Sequence, residues 1–197
     1  MKRYAIIGWG SLIWDLENLA PHVRGDWAMR AGPALPMEFT RVSPKRNMAL
    51  AVCLDAVHGV GCVTNAIASV RGEIGSAVTD LARRERAPEH LIGDVCLASG
   101  HANGTSPEIV TRVRNWCQTE GWSGAVWTDL PSNFTEHLGE IFTVPLAISY
   151  LRRLTGDSLD EAVAYIEQAP AATDTPLRRA LATEDWWLAE IRRLGLR

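Results

Sequence analysis

Tyr4-Ala-Ile-Ile-Gly-Trp-Gly-Ser-Leu-Ile-Trp14 sets the reading of this chain. A basic front, Met1-Lys-Arg3, leads into a short apolar run that Gly8 and Gly10 interrupt within a few residues. A secretory signal needs a longer apolar region and a small-residue cleavage site. The run is therefore expected to be a first β-strand that ends in a tight glycine turn. Two glycines let the backbone bend sharply and approach a ligand, and successive free N–H groups in such a turn can hold a carboxylate or an oxyanion. A dinucleotide fingerprint would place a third glycine at position 13, which is Ile13, and the Gly-Lys-Ser/Thr of a phosphate loop is absent. Taken alone, the loop fits a plain strand-end turn better than a ligand site.

Outward from this strand, residues 37–42 alternate loosely, and residues 48–54 and 61–69 are apolar and β-branched. Asp55-Ala-Val-His-Gly59 separates the last two, a pattern that reads as a hairpin with a long loop. A helix is expected over about 76–86, capped by Ser76, with Val78, Leu81 and Ala82 as its apolar stripe and Pro88 as its limit. Ser106, Pro107 and Glu108 open a second helix that Gly121 closes, and 124–129 reads as a further strand. The last third is helical. Ser158-Leu-Asp-Glu161 has the form of a capping box, residues 169–176 form a Pro/Thr-rich break, and Thr183 is the expected cap of the final helix.

Strands first and helices later imply an α+β fold. The expected architecture is a mixed, mostly antiparallel sheet curled into a small barrel with flanking helices. A length of 197 residues suggests one domain over 1–197, with a helical C-terminal extension at about 146–197.

Composition narrows the function classes. Hydrophobic residues make up 47% and charged residues 22%, which is ordinary for a globular chain with one core. The net charge of −3, with no strongly basic stretch, argues against a nucleic-acid partner. No apolar stretch is long enough to cross a bilayer, so a cytoplasmic protein without a membrane partner is expected. Cys53, Cys62, Cys96 and Cys117 form no CxxC pair and are expected to be reduced, small, buried hydrophobes. The five histidines show no metal-ligand spacing, and no metal or cofactor is expected. Ser11 lacks the GxSxG setting of a hydrolase elbow. The eight tryptophans are assigned to core or pocket wall, with Trp9 and Trp14 flanking the glycine loop.

The second chemical candidate is Glu85 in Leu81-Ala-Arg-Arg-Glu85. Val78, Leu81 and Glu85 stand at i, i+3 and i+7, which puts the carboxylate on the apolar face. Arg83, Arg84 and Arg86 are expected to point elsewhere. A carboxylate in that position costs free energy unless it is paired or protonated, and burial of this kind favours the proton affinity that a general base and acid needs near neutral pH. The spacing fits equally a salt-bridged glutamate at a helix end, at the edge of the core.

Together the two elements carry a resemblance. Ile7-Gly-Trp-Gly-Ser-Leu-Ile-Trp14 resembles the substrate loop of the gamma-glutamylcyclotransferases, and Gly10-Ser-Leu-Ile-Trp14 is most similar to their ChaC-type branch. Leu81-Ala-Arg-Arg-Glu85 matches the order and spacing of the family's Leu-x-x-x-Glu, and the resemblance covers roughly residues 4–86. Trp9 stands where the family usually has tyrosine, Ala82 where it often has aspartate, and Trp127 where a later strand often has tyrosine.

The resemblance implies a cofactor-independent enzyme of glutathione-type metabolism, a lyase or transferase by class. It would act on a small γ-glutamyl peptide or amine and release 5-oxoproline by attack of the substrate's own amine. It further implies that Glu85 is the general base and acid, and that Gly8, Trp9, Gly10, Ser11 and Leu12 bind the substrate. The main alternative is a non-catalytic metabolite- or protein-binding module on the same fold. A different transferase or hydrolase with Glu85 as its base is a third.

Overall fold

The computed structural model describes residues 2–196. The chain runs through β1 (Tyr4–Gly8), β2 (Val23–Ala28), β3 (Ala34–Ser43), β4 (Ala49–Leu54), β5 (Val60–Val63) and β6 (Asn65–Ser69) before its first α-helix, α1 (Ile74–Glu85). There follow β7 (Ile92–Cys96), β8 (Ala102–Asn103), α2 (Pro107–Glu120) and β9 (Gly124–Thr128). The remainder is helical: α3 (Phe134–Leu138), α4 (Val144–Leu151), α5 (Asp157–Gln168), α6 (Pro176–Leu181) and α7 (Asp185–Arg193). The α+β class is as expected. No helix among the described residues is long and apolar enough to cross a membrane.

Two compact units interleave along the sequence, one made of residues up to 35 with 63–130, the other of 36–62 with 131 onward. The first holds a six-stranded sheet of order β2-β6-β1-β9-β7-β8. β1 pairs in parallel with β9 and antiparallel with β6, and β7 pairs antiparallel with both β9 and β8. The sheet is thus mixed and mostly antiparallel.

The register sets its faces. Ile6 lies opposite Ile67 and Val126, and Val126 lies opposite Asp94. Paired residues share a face, and α1 lays Ala77, Val78, Leu81 and Ala82 onto Ile6, Ile67, Ile92 and Val126. Every residue of β1 is buried, which is why it reads as a continuous apolar run rather than an alternation.

The second unit carries the three-stranded sheet β4-β3-β5. β4 is wholly buried, and α5 packs over it. Phe39 meets the ring of Tyr165 edge-on at 6.3 Å, and Trp187 Nε1 donates to Glu167 Oε1 at 2.9 Å, tying α7 to α5.

Four expectations are corrected. The strands form two open sheets, and no closed barrel is found among the described residues. Residues 48–54 and 61–69 are not a hairpin: β3 lies between β4 and β5, and Thr64 divides the second run into β5 and β6, which join different sheets. The Ser158 box does not cap α5, because that helix starts at Asp157 behind Gly156, which has a φ of +55°. Thr183 likewise donates to the Ala180 carbonyl at 2.9 Å, while Glu184 takes the N-cap position of α7.

Candidate active site

At the end of β1 the chain turns through Trp9 into a single 3₁₀ turn, Gly10–Ile13. Gly10 has a φ of +53°, where a side chain would be strained. At Gly8 the reason for glycine is space: a β-carbon there would stand 2.3 Å from Trp27 Cη2. The Trp27 indole therefore lies directly on the backbone at the strand end. Asn65 of β6 braces the same point, donating from Nδ2 to the Gly8 carbonyl at 3.2 Å and accepting from Arg30 N–H at 2.9 Å.

Gly8, Trp9, Gly10, Ser11 and Leu12 are all buried, and Leu12 is part of the apolar cluster beneath α1. In a 3₁₀ turn capped at Trp9, the N–H groups of Gly10 and Ser11 have no partner within the turn, whereas that of Leu12 is used by it. The turn's own hydrogen bonding thus leaves the backbone N–H groups of Gly10 and Ser11 over.

α1 reaches the loop with its last turn. The helix stops at Glu85 because Arg86 adopts a left-handed conformation (φ +55°), and Ala87 N–H closes back onto the Ala82 carbonyl at 3.0 Å. Glu85 is therefore a helix-end residue with a salt bridge, the second of the two settings its spacing allowed. Its partner is Arg84, whose Nη1 donates to Glu85 Oε1 at 2.8 Å.

Arg84 does not point away, contrary to expectation. Its side chain is only 3% exposed, and Nη2 reaches the Asp15 carbonyl at 2.7 Å and Ser11 Oγ at 3.2 Å. Ala77, Leu81 and Arg84 are spaced by four and three residues, so the arginine stem leaves the helix on the flank of the apolar stripe. One guanidinium is thus bonded both to the serine of the glycine loop and to the candidate carboxylate. Arg84 Nε is buried without a partner.

One turn earlier on α1, Asp80 is buried and receives two bonds from Arg71, from Nε at 2.6 Å and from Nη2 at 2.9 Å. Arg71 Nη2 also lies 3.1 Å from His22 Nδ1. A guanidinium only donates, so Nδ1 must accept and the remaining ring proton sits on Nε2. This trio fastens the 3₁₀ turn Glu17–His22 and the exit of β6 to α1. Of the two acidic residues after the loop, Asp15 serves through its carbonyl to Arg84, and its carboxylate accepts Glu17 N–H at 3.2 Å.

The tryptophans divide. Trp9 is buried, Trp14 is 40% exposed and Trp127 is fully buried. Val126 faces α1, so its neighbour Trp127 projects from the opposite face of the sheet. Arg41 belongs to the second unit, where Nη1 donates to the Pro131 carbonyl at 2.6 Å. All four cysteines are buried and unpaired. Among the described residues, no three His, Cys, Asp or Glu side chains are gathered as a metal would require.

Sequence reading missed Arg84, Asn65 and Trp27. Asp80 and Arg84 stand at i, i+4 beside an apolar stripe, and that spacing was the available signal for a buried polar flank. No known family model matches this chain, and no curated protein or solved structure is significantly similar to it.

Proposed function

We propose that the chain is a gamma-glutamylcyclotransferase-like enzyme that releases 5-oxoproline from a small γ-glutamyl peptide or amine. The observation that supports this reading is the single buried guanidinium bonded to both Ser11 and Glu85. It joins the two elements whose combination carries the resemblance, and it does so through groups suited to the reaction.

Glu85 takes a proton from the substrate's α-ammonium. The freed amine attacks the γ-carbonyl carbon, forming a C–N bond and a tetrahedral oxyanion. The bond to the leaving amine then breaks as Glu85 returns its proton to that nitrogen, and the second proton of the ring nitrogen passes by way of Glu85 to the departing amine, which leaves as its ammonium form. The products are 5-oxoproline and the free amine. Because nucleophile and electrophile belong to one molecule, the enzyme's main task is to hold a folded conformer. The N–H groups of Gly10 and Ser11 are the donors for the developing oxyanion.

A binding module is the second reading. The burial of the loop and the engagement of Glu85 with Arg84 favour it, since both describe a locked structural contact as well as a site. The test is to incubate the purified protein and Glu85→Gln with glutathione, γ-glutamyl amino acids and γ-glutamylamines, and to quantify 5-oxoproline. Release from at least one compound is expected, with the variant slower by at least about 10²-fold, the scale of lost general acid–base catalysis. No release from any compound by folded protein would overturn the enzyme and favour the module.

A further inference from the structure

We infer that Arg84 is a positioning residue that orders the proposed site, presetting the Ser11 hydroxyl as a donor and leaving Glu85 Oε2 as the open acceptor. The inference rests on the cyclotransferase reading. It concerns a residue that neither the loop nor the glutamate motif singles out.

The direction of each hydrogen bond carries it. A guanidinium has five N–H donors and no acceptor. Ser11 Oγ therefore accepts from Arg84 Nη2, and its own hydrogen is turned elsewhere. No other hydrogen bond reaches Ser11 Oγ among the described residues, so its hydrogen is available to an incoming oxygen. By the same logic Glu85 spends Oε1 on Nη1, and Oε2 keeps its lone pairs for a proton. A donor and an acceptor fixed side by side complement a carbonyl oxygen next to an ammonium, the reacting half of a γ-glutamyl group.

The energetics favour positioning over simple stabilisation. Burying a cation costs several kcal/mol, and a buried ion pair repays that only with excellent geometry and full hydrogen bonding. Arg84 is buried, yet Nε–H has no partner. Its side chain is arranged to reach the Ser11, Asp15 and Glu85 oxygens rather than to satisfy all its own donors. Residues i and i+1 of a helix do not normally face each other. The bond between Arg84 and Glu85 forms because the long arginine curls back at the last turn. A lysine has one nitrogen and no planar fork, so it cannot reproduce all of these contacts.

The experiment compares Arg84→Met, Arg84→Lys, Ser11→Ala, the Ser11→Ala/Arg84→Met double variant and Glu85→Gln with the parent protein. Two readouts are taken: kcat and KM for 5-oxoproline release, and amide hydrogen exchange over residues 9–16. Arg84→Met is expected to lower kcat by about 10–100-fold while KM changes less than about threefold, the scale of a misplaced reacting group. Arg84→Lys is expected to recover part of the loss. Ser11→Ala is expected to cost far less in the Arg84→Met background than alone, as for residues that act through one contact. Exchange in the loop is expected to quicken in Arg84→Met and to stay unchanged in Glu85→Gln.

Parent-like kcat in folded Arg84→Met, additive losses in the double variant, or unchanged loop exchange would each overturn the inference. If Arg84→Met does not fold, Arg84→Lys serves the same comparison. Absence of 5-oxoproline from the parent would instead refute the cyclotransferase reading, and the exchange data would then decide whether Arg84 orders the loop.

Discussion

Arg84 and Glu38 are both charged groups taken out of water, and the protein treats them differently. Arg84 is neutralised by Glu85 in the first unit. Glu38, on β3 in the second, pairs with no cation among the described residues and accepts hydrogen bonds instead, among them Phe39 N–H at 2.8 Å and Leu177 N–H at 3.1 Å. Burial pushes the Glu38 carboxyl above its ordinary value of 4.5, and bonds from Thr175 and the two backbone groups pull only part of the way back. The folded protein therefore holds this proton more tightly than the unfolded chain. The stabilisation is complete below the unfolded value and is lost as pH rises through the higher folded one. Glu38→Gln removes the titration at the cost of one acceptor, roughly 1 kcal/mol. The expected outcome is that the parent's Tm falls relative to that of the variant as pH is raised from 4 to 8. Parallel Tm curves would contradict it. Gly10, Ser11 and Glu85 were legible in the sequence because their chemistry is tied to residue type and spacing. Arg84 was not, because three arginines crowd positions 83 to 86 and their directions depend on which residue ends the helix.

At the scale of elements, what sequence reveals is the local chemistry of starts and stops. α2 begins and ends where Ser106, Pro107 and Gly121 require: Ser106 Oγ accepts Ile109 N–H at 3.4 Å, and Gly121 closes the helix at φ +71°. Ser106→Ala is expected to cost about 1 kcal/mol in denaturant unfolding, and an unchanged midpoint would show that Pro107 alone sets the start. α1 is held by its apolar face. Leu81→Ala is expected to lose about 2–5 kcal/mol, as for a fully buried leucine. Strand identity was readable for β1, β3, β4 and β9, whereas strand partnership was not. Alternation fixes which face a residue takes, not which strand lies beside it. β4 and β5 therefore looked like partners, although β3 lies between them. β2 escaped notice because Val23-Arg-Gly-Asp-Trp-Ala28 mixes charges with a glycine.

Over the whole molecule, the division into two units was hidden because each is assembled from separated stretches of sequence. The barrel was expected from early antiparallel strands, but closure depends on long-range pairing that local patterns do not encode. Thiol chemistry gives a global check on both units. Burial pushes Cys53 up to about 11 and Cys117 up to about 12. A thiol reagent at pH 8 is expected to leave both unmodified in native protein and to count four thiols in guanidinium. Rapid native labelling of either would contradict their burial. The most direct test of the proposed chemistry is the rate of 5-oxoproline formation by Glu85→Gln beside the parent, on the best γ-glutamyl substrate, with matched near-ultraviolet circular dichroism. The expected result is release by the parent and a rate at least about 10²-fold lower in the variant. Equal rates from two folded proteins would contradict the assignment of Glu85 as the catalytic carboxylate.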